Sequence, residues 1–178
     1  LFEGKLGTSI GQHKFFNSNC VVREEKKTEQ KFVPQYGYFE MRAKFAATNS
    51  EVAALWMIGF EDTPEKSSEL CIMEIKGWNV KKSKAKIGMG IHKFNDPKLI
   101  EDFSENEYKI DVTEFHLYAV EWTKNKVVFL IDDEVVKEIN QSPDYPMQFM
   151  LGVYEIPKNK KRGDDKAYPK EFIIDYVK

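Results

Sequence analysis

Along most of this chain apolar and polar residues alternate with a period of two, in short runs broken by turn-forming residues, and helical periodicity is scarce. Aromatic and β-branched residues dominate the runs, as suits a pleated, half-buried surface. The pattern predicts strands over Gly37–Phe45, Ala53–Phe60, Leu70–Ile75, Lys86–Lys93, Glu114–Thr123, Lys126–Ile131, Glu134–Ile139, Gln148–Val153 and Glu171–Val177. The sharpest local signal is Asp132-Asp133, set between Val127-Val128-Phe129-Leu130-Ile131 and Glu134-Val135-Val136-Lys137-Glu138-Ile139. A two-residue acidic turn between two β-rich runs makes a tight hairpin. Trp122 to Lys126 turns in a similar way one strand earlier, so three strands form a meander. Loops are predicted over Asp62–Ser68 with Pro64, over the acidic stretch Asn95–Ser104 with Pro97, and over the charged stretch Pro157–Pro169. No internal repeat or low-complexity tract interrupts this order, which reads as one antiparallel β-sandwich domain over residues 1–178.

Bulk properties narrow the function classes. The 178 residues suffice for a sizeable core, and 42% hydrophobic with 31% charged is ordinary for a globular chain. A net charge of -2 argues against a nucleic-acid partner. The basic stretches Lys81 to Lys86 and Lys158 to Arg162 read as solvated loops or strand edges. No apolar run approaches the roughly 20 residues of a membrane span. The opening Leu1-Phe2-Glu3-Gly4 lacks a signal-peptide pattern and reads as the start of a processed or trimmed fragment. Cys20 and Cys71 make neither a disulfide framework nor a metal site; two separate half-buried thiols is the simpler reading, and pairing stays open. Three scattered histidines do not form a zinc site.

The chemistry concentrates in Ser68-Glu69-Leu70-Cys71-Ile72-Met73-Glu74-Ile75-Lys76-Gly77. Two glutamates stand inside an apolar β-run, where a buried carboxylate is costly unless partnered. In a regular strand Glu69 and Glu74 differ in parity and project to opposite faces. A β-bulge between Cys71 and Glu74 adds one residue, and Glu69, Cys71 and Glu74 then share a face. A bulge is therefore required if the two carboxylates act together. Carboxyls about 5–5.5 Å apart carry out retaining glycoside hydrolysis, one as nucleophile and one as acid/base. Trp56 suits either the core or an aromatic sugar platform, while Trp78, just past Gly77, is the better platform candidate.

Glu69-Leu70-Cys71-Ile72-Met73-Glu74 resembles the motif Glu-x-Asp-x-x-Glu of the family-16 glycoside hydrolases, which include laminarinases and lichenases, with cysteine in the aspartate's place. Tyr36-Gly37-Tyr38-Phe39-Glu40-Met41-Arg42-Ala43-Lys44 resembles the family's strand ahead of the site, and Ala54-Leu55-Trp56-Met57-Ile58-Gly59 the segment leading into it. Phe115 to Thr123 with the following hairpin, and Phe172-Ile173-Ile174-Asp175-Tyr176-Val177, are similar to its later strands. The resemblance implies a concanavalin A-like jelly roll with a concave groove for a β-linked glucan, a secreted location and no cofactor. Glu69 is then the nucleophile, Glu74 the acid/base, and Cys71 stands where the family's aspartate tunes the nucleophile. A thiol, with an ordinary pKa of about 8.5, is a weak hydrogen-bond partner, so reduced activity is expected. The resemblance places His92 in the groove and Trp122 near the cleft; position also suggests Tyr36 and Tyr154 as groove residues. Val52 or Ala53 replaces a family tryptophan, and Gln148 to Leu151 lacks a family asparagine, which implies an altered groove. Asp175 alone does not make a calcium site.

The expected activity is a retaining endo-β-glucanase acting as a monomer on β-1,3 or mixed β-1,3/1,4 glucan. The alternative is a non-catalytic β-glucan-binding module disabled at Cys71. Restoring aspartate at that position separates the two.

Overall fold

The computed structural model describes residues 5–9, 19, 21–25, 29–46, 48–156 and 168–178. Cys20, His13, the basic run from Lys158 to Arg162 and most of the loop predicted over Pro157–Pro169 lie outside the described residues. Among the described residues ten strands form: β1 Gly37–Ala46, β2 Glu51–Gly59, β3 Glu69–Lys81, β4 Lys84–His92, β5 Asp102–Tyr108, β6 His116–Trp122, β7 Val127–Ile131, β8 Glu134–Ile139, β9 Met147–Glu155 and β10 Glu171–Val177. They build two five-stranded sheets, β10-β1-β6-β7-β8 and β5-β4-β3-β2-β9. All the pairings within them are antiparallel.

The two sheets pack their inner faces on one hydrophobic cluster. Met41, Ala43, Phe45, Val120 and Phe129 contribute from one sheet, and Leu55, Leu70, Ile75, Ile87 and Ile91 from the other. Alternation sets which residues enter: on β1, Phe39, Met41, Ala43 and Phe45 are buried hydrophobics, while Tyr38, Arg42 and Lys44 point outward. Glu40 shares their outward parity but is buried under partners of its own, described below.

The β6-β7-β8 meander forms as the sequence predicts. Asp132 and Asp133 both adopt positive φ, 49° and 67°, the pairing demanded by a type I′ hairpin turn. The predicted loop Asn95–Ser104 needs correction, because β5 begins at Asp102. Asp102-Phe103-Ser104-Glu105-Asn106-Glu107-Tyr108 has no β-branched residue and is half exposed throughout, since it is an edge strand paired with β4. Its backbone is held by a neighbour, and beyond the aromatic Phe103 and Tyr108 its side chains carry little strand signal. The predicted strand Leu70–Ile75 is likewise the middle of a longer one, which runs through Gly77 into the hairpin with β4.

Candidate active site

The centre of β3 is bulged against both neighbours. Cys71 pairs with Gly90 and Glu74 with Gly88, so three steps on β3 answer two on β4. On the other side Leu55 faces Met73 and Trp56 faces Cys71, which leaves Ile72 without a partner on β2. Ile72 and Met73 consequently both enter the core, each 0% exposed. Parity shifts by one, and Glu69, Cys71 and Glu74 line one cleft.

That cleft has a volume of about 240 Å³. Val52, Ala54 and Trp56 contribute the same-parity face of β2, and Tyr154 and Ile156 close it from β9 and just beyond. The wall beside the carboxylates is therefore apolar. The Trp56 and Tyr154 rings stand 5.9 Å apart at 48°, an aromatic corner of the kind that takes the apolar face of a sugar ring.

Burial pushes the Glu69 carboxyl up to about 7; the positive charge of His92 works against the rise, and the Glu74, Glu61 and Glu101 charges add to it. Burial, reinforced by Glu74 and Glu69, holds the Cys71 thiol well above its ordinary value, so it stays protonated. Its hydrogen goes to the Gly88 carbonyl at 3.9 Å, a weak contact. Glu74 meets the Lys76 ammonium at 3.3 Å, and Lys76 also donates to Glu105. Burial lowers the Lys76 value, but the Glu105 hydrogen bond and the Glu74 and Glu105 charges outweigh it and hold the group above its usual range.

Of the residues singled out from sequence, Glu69, Glu74, Cys71, Trp56 and Tyr154 come together in the cleft. His92 is the cross-strand partner of Glu69. Its Nδ1 lies 2.6 Å from Glu101 Oε1, and its ring stacks on Phe103 at 4.2 Å. Trp78 is 37% exposed on β3 but is outside this cleft's lining. Trp122, which the resemblance sets near the cleft as a packing or a sugar-binding residue, takes the packing role: it is 1% exposed, inside the core, and donates its indole N–H to Ser142 Oγ at 2.8 Å. Alternation on β6 aims it at the interior, and Ser142 satisfies its one polar atom. Tyr36 packs edge-on against Trp122 at 5.2 Å and does not line the cleft.

Sequence reading missed Lys76, Glu101 and Glu105. Lys76 shares parity with Glu74, and that spacing was a usable signal; Glu105 sits on the unforeseen β5. Among the described residues no group of three or more His, Cys, Asp or Glu could hold a metal ion.

The family model described as glycosyl hydrolases family 16 matches residues 16–178. An endo-1,3-1,4-beta-glycanase of Rhizobium meliloti (strain 1021), ExsH, is 26% identical over 159 residues, which is 85% of this chain and 31% of that protein. The endo-β-galactosidase of Clostridium perfringens that releases GlcNAcα1-4Gal superposes with a TM-score of 0.74 at 31% identity, over 93% of this chain and 42% of that one. The laminarinase catalytic domain of Thermotoga maritima gives a TM-score of 0.66 at 23% identity, over 84% of this chain and 65% of that one, and shares the sandwich fold. The chain thus spans less than a third of the length of the curated relative named here.

Proposed function

This chain belongs to family 16 of the glycosyl hydrolases, and from that premise we propose that it is a retaining endo-β-glycanase whose reaction runs through Glu69 and Glu74. The observation that carries the reading is the bulge at Ile72-Met73, which turns both carboxylates to one cleft. A glycan chain lies across the cleft with one sugar on the Trp56–Tyr154 corner. Glu69, ionised, attacks the anomeric carbon while Glu74 gives its proton to the leaving glycosidic oxygen. Glu74 then takes a proton from water as the water oxygen bonds to the anomeric carbon, and the ester bond to Glu69 breaks. The starting protonation states return and no cofactor takes part.

Glu69 must lose its proton before it attacks, and burial resists that loss. Cys71, a protonated thiol turned toward Gly88, gives little help. Activity below that of a relative with aspartate at this position follows from the same contacts.

The substrate we favour is a β-1,3 or mixed β-1,3/1,4 glucan, in keeping with the 1,3-1,4-β-glycanase relative. A β-galactoside main chain is the second reading, favoured by the 31% identity with the endo-β-galactosidase over nearly the whole chain. Either polymer is too large to enter a cell, so the reading implies work outside it. Laminarin, lichenan and a β-galactan, each incubated with the protein and with Glu69→Gln, test these proposals together. Reducing ends released by the first protein and not the second establish the hydrolase, and proton NMR of the first product shows whether the β-anomer is retained. Binding of a polymer without any release would overturn catalysis and leave a glycan-binding module.

A further inference from the structure

Glu74 and Glu105 both stand opposite Gly88, Glu74 on one side of β4 and Glu105 on the other. Gly88 has no side chain between them, and a Cβ there would meet the Phe103 ring at 2.5 Å and the Glu74 Cβ at 3.4 Å. Lys76 reaches across from β3, and its ammonium lies 3.3 Å from Glu74 Oε1 while donating to Glu105 Oε1. Asn79 Nδ2 approaches the second Glu105 oxygen at 3.5 Å, at the outer limit of a hydrogen bond. The lysine side chain is 29% exposed and holds both carboxylates at once.

We propose that Lys76, anchored from its far side by Glu105, is a positioning residue for Glu74: it keeps a positive charge against that carboxylate and so sets the protonation state in which Glu74 meets the substrate. The inference rests on the reading of Glu74 as acid/base. In the water-attack step Glu74 works as a carboxylate, and the ammonium favours that form. In the first step Glu74 works as an acid, and the ammonium makes its proton easier to give and harder to keep. The alkaline end of the activity range is thus set by Lys76.

The other charged groups around Glu74 are few. Glu69 and the protonated Cys71 share its face of β3, and Glu105 faces it from β5. Gly88 on β4 and Ala54 on β2 are its uncharged cross-strand neighbours, and Tyr154 looks in from β9. Lys76 is the cation within ion-pair distance of Glu74 among the described residues. A substitution that removes it and one that removes Glu105 must therefore act in opposite directions.

Carbon-13 NMR of carboxyl-labelled glutamate, with Glu74 assigned by its loss in Glu74→Gln, reads this on the unliganded protein. Lys76→Met is expected to raise the Glu74 titration midpoint by about one pH unit, the lower end of what an adjacent opposite charge does to a carboxylate. Glu105→Gln keeps a hydrogen-bond acceptor for Lys76 while removing a negative charge, and is expected to lower the midpoint. Midpoints that stay put, or that move the same way in both variants, overturn the proposal. Should Lys76→Met not fold, Lys76→Gln, which keeps a polar side chain and removes only the charge, takes its place, and its midpoint must likewise rise. On laminarin or lichenan the alkaline limb of kcat/KM should follow the same two directions. If the parent protein hydrolyses neither polymer nor a β-galactan, the hydrolase reading fails by itself, and the titrations still report whether Lys76 governs Glu74.

Discussion

Glu101 holds the imidazole Nδ1 of His92 at 2.6 Å, directly across the strand pair from Glu69. The second Glu101 oxygen accepts the Lys93 backbone N–H at 2.9 Å, and the Phe103 ring fixes the imidazole plane. The side chain whose charge opposes the rise at Glu69 is thus itself clamped on two sides.

This relationship sets a pH dependence. Glu69 acts as a carboxylate and is pushed up to about 7, chiefly by burial, so kcat/KM should fall as the pH drops through about 7. Removing the positive partner in His92→Gln should move that acid limb to higher pH. Folding stability runs the other way: the folded state holds a proton that the unfolded state, near 4.5, has released, so stability declines as pH rises from about 4.5 to 7. Glu69→Gln should flatten that decline in thermal melts. An acid limb near 4, unmoved in His92→Gln, would contradict both.

At Cys71 the expected trade is between activity and stability. Aspartate there can accept or share a proton with Glu69, and Cys71→Asp should raise the hydrolysis rate about tenfold or more, equivalent to ~1.4 kcal/mol of barrier. Burying a second carboxyl at a site only 3% exposed should also lower Tm, by an amount corresponding to about 1–3 kcal/mol. Rates on lichenan and a melting curve check the two halves separately.

The bulge makes an unusual deletion prediction. Removing Ile72 alone leaves two steps between Cys71 and the second glutamate, which matches the two steps from Gly90 to Gly88. Both carboxylates then stay on the cleft face, and the loss is one buried side chain, about 2–5 kcal/mol. Removing Ile72 and Met73 together turns the glutamate into the core, where an unpaired carboxylate should prevent folding. Circular dichroism and the ability to melt cooperatively distinguish the two deletions.

Glu40, on the outer face of β1, should govern acid stability. Its carboxylate accepts the Tyr38 hydroxyl at 2.7 Å, the Tyr176 hydroxyl at 2.6 Å and the Lys178 ammonium at 2.9 Å. The Tyr176 hydrogen bond is the largest influence holding it at about 2; burial opposes it, and Lys178 and Tyr38 add to the lowering. The folded value lies below the unfolded one, so this stability is present above about 4.5 and is lost as pH falls toward 2. Glu40→Gln should lose on the order of 2 kcal/mol at neutral pH and show a weaker acid dependence. Equilibrium denaturation at pH 7 and pH 3 provides the comparison.

Two tryptophans should separate binding from folding. Trp56→Ala removes half of the aromatic corner and should raise KM about tenfold with little change in Tm, stacking being worth about 0.5–1.5 kcal/mol. Trp122→Ala empties a core position and should cost about 3–5 kcal/mol of stability. If Trp122→Ala melted like the parent protein and lost only affinity, the placement of Trp122 in the core would be wrong.

The period-two alternation alone determined most of this fold, because each strand with one face in the core must write that face into its residues. It also determined that Glu69 and Glu74 could cooperate only across a bulge, since parity along a strand is a matter of counting. The spacing of Asp132-Asp133 likewise specified a hairpin, a local backbone requirement. Other features were decided by the tertiary structure. Strand β5 exists because β4 offers it a hydrogen-bonding edge, and its mostly polar side chains, Phe103 and Tyr108 apart, give little sign of that. Which aromatic residues meet the cleft depended on the stacking of the two sheets: Tyr154 arrives beside Trp56 through the pairing of β9 with β2, while Trp122 is drawn inside by the opposite sheet. The bridge from Glu74 through Lys76 to Glu105 joins residues 29 apart from Lys76 to Glu105. It spans three strands over a glycine, and only the registers of two strand pairs, set by packing on a shared core, bring those charges together.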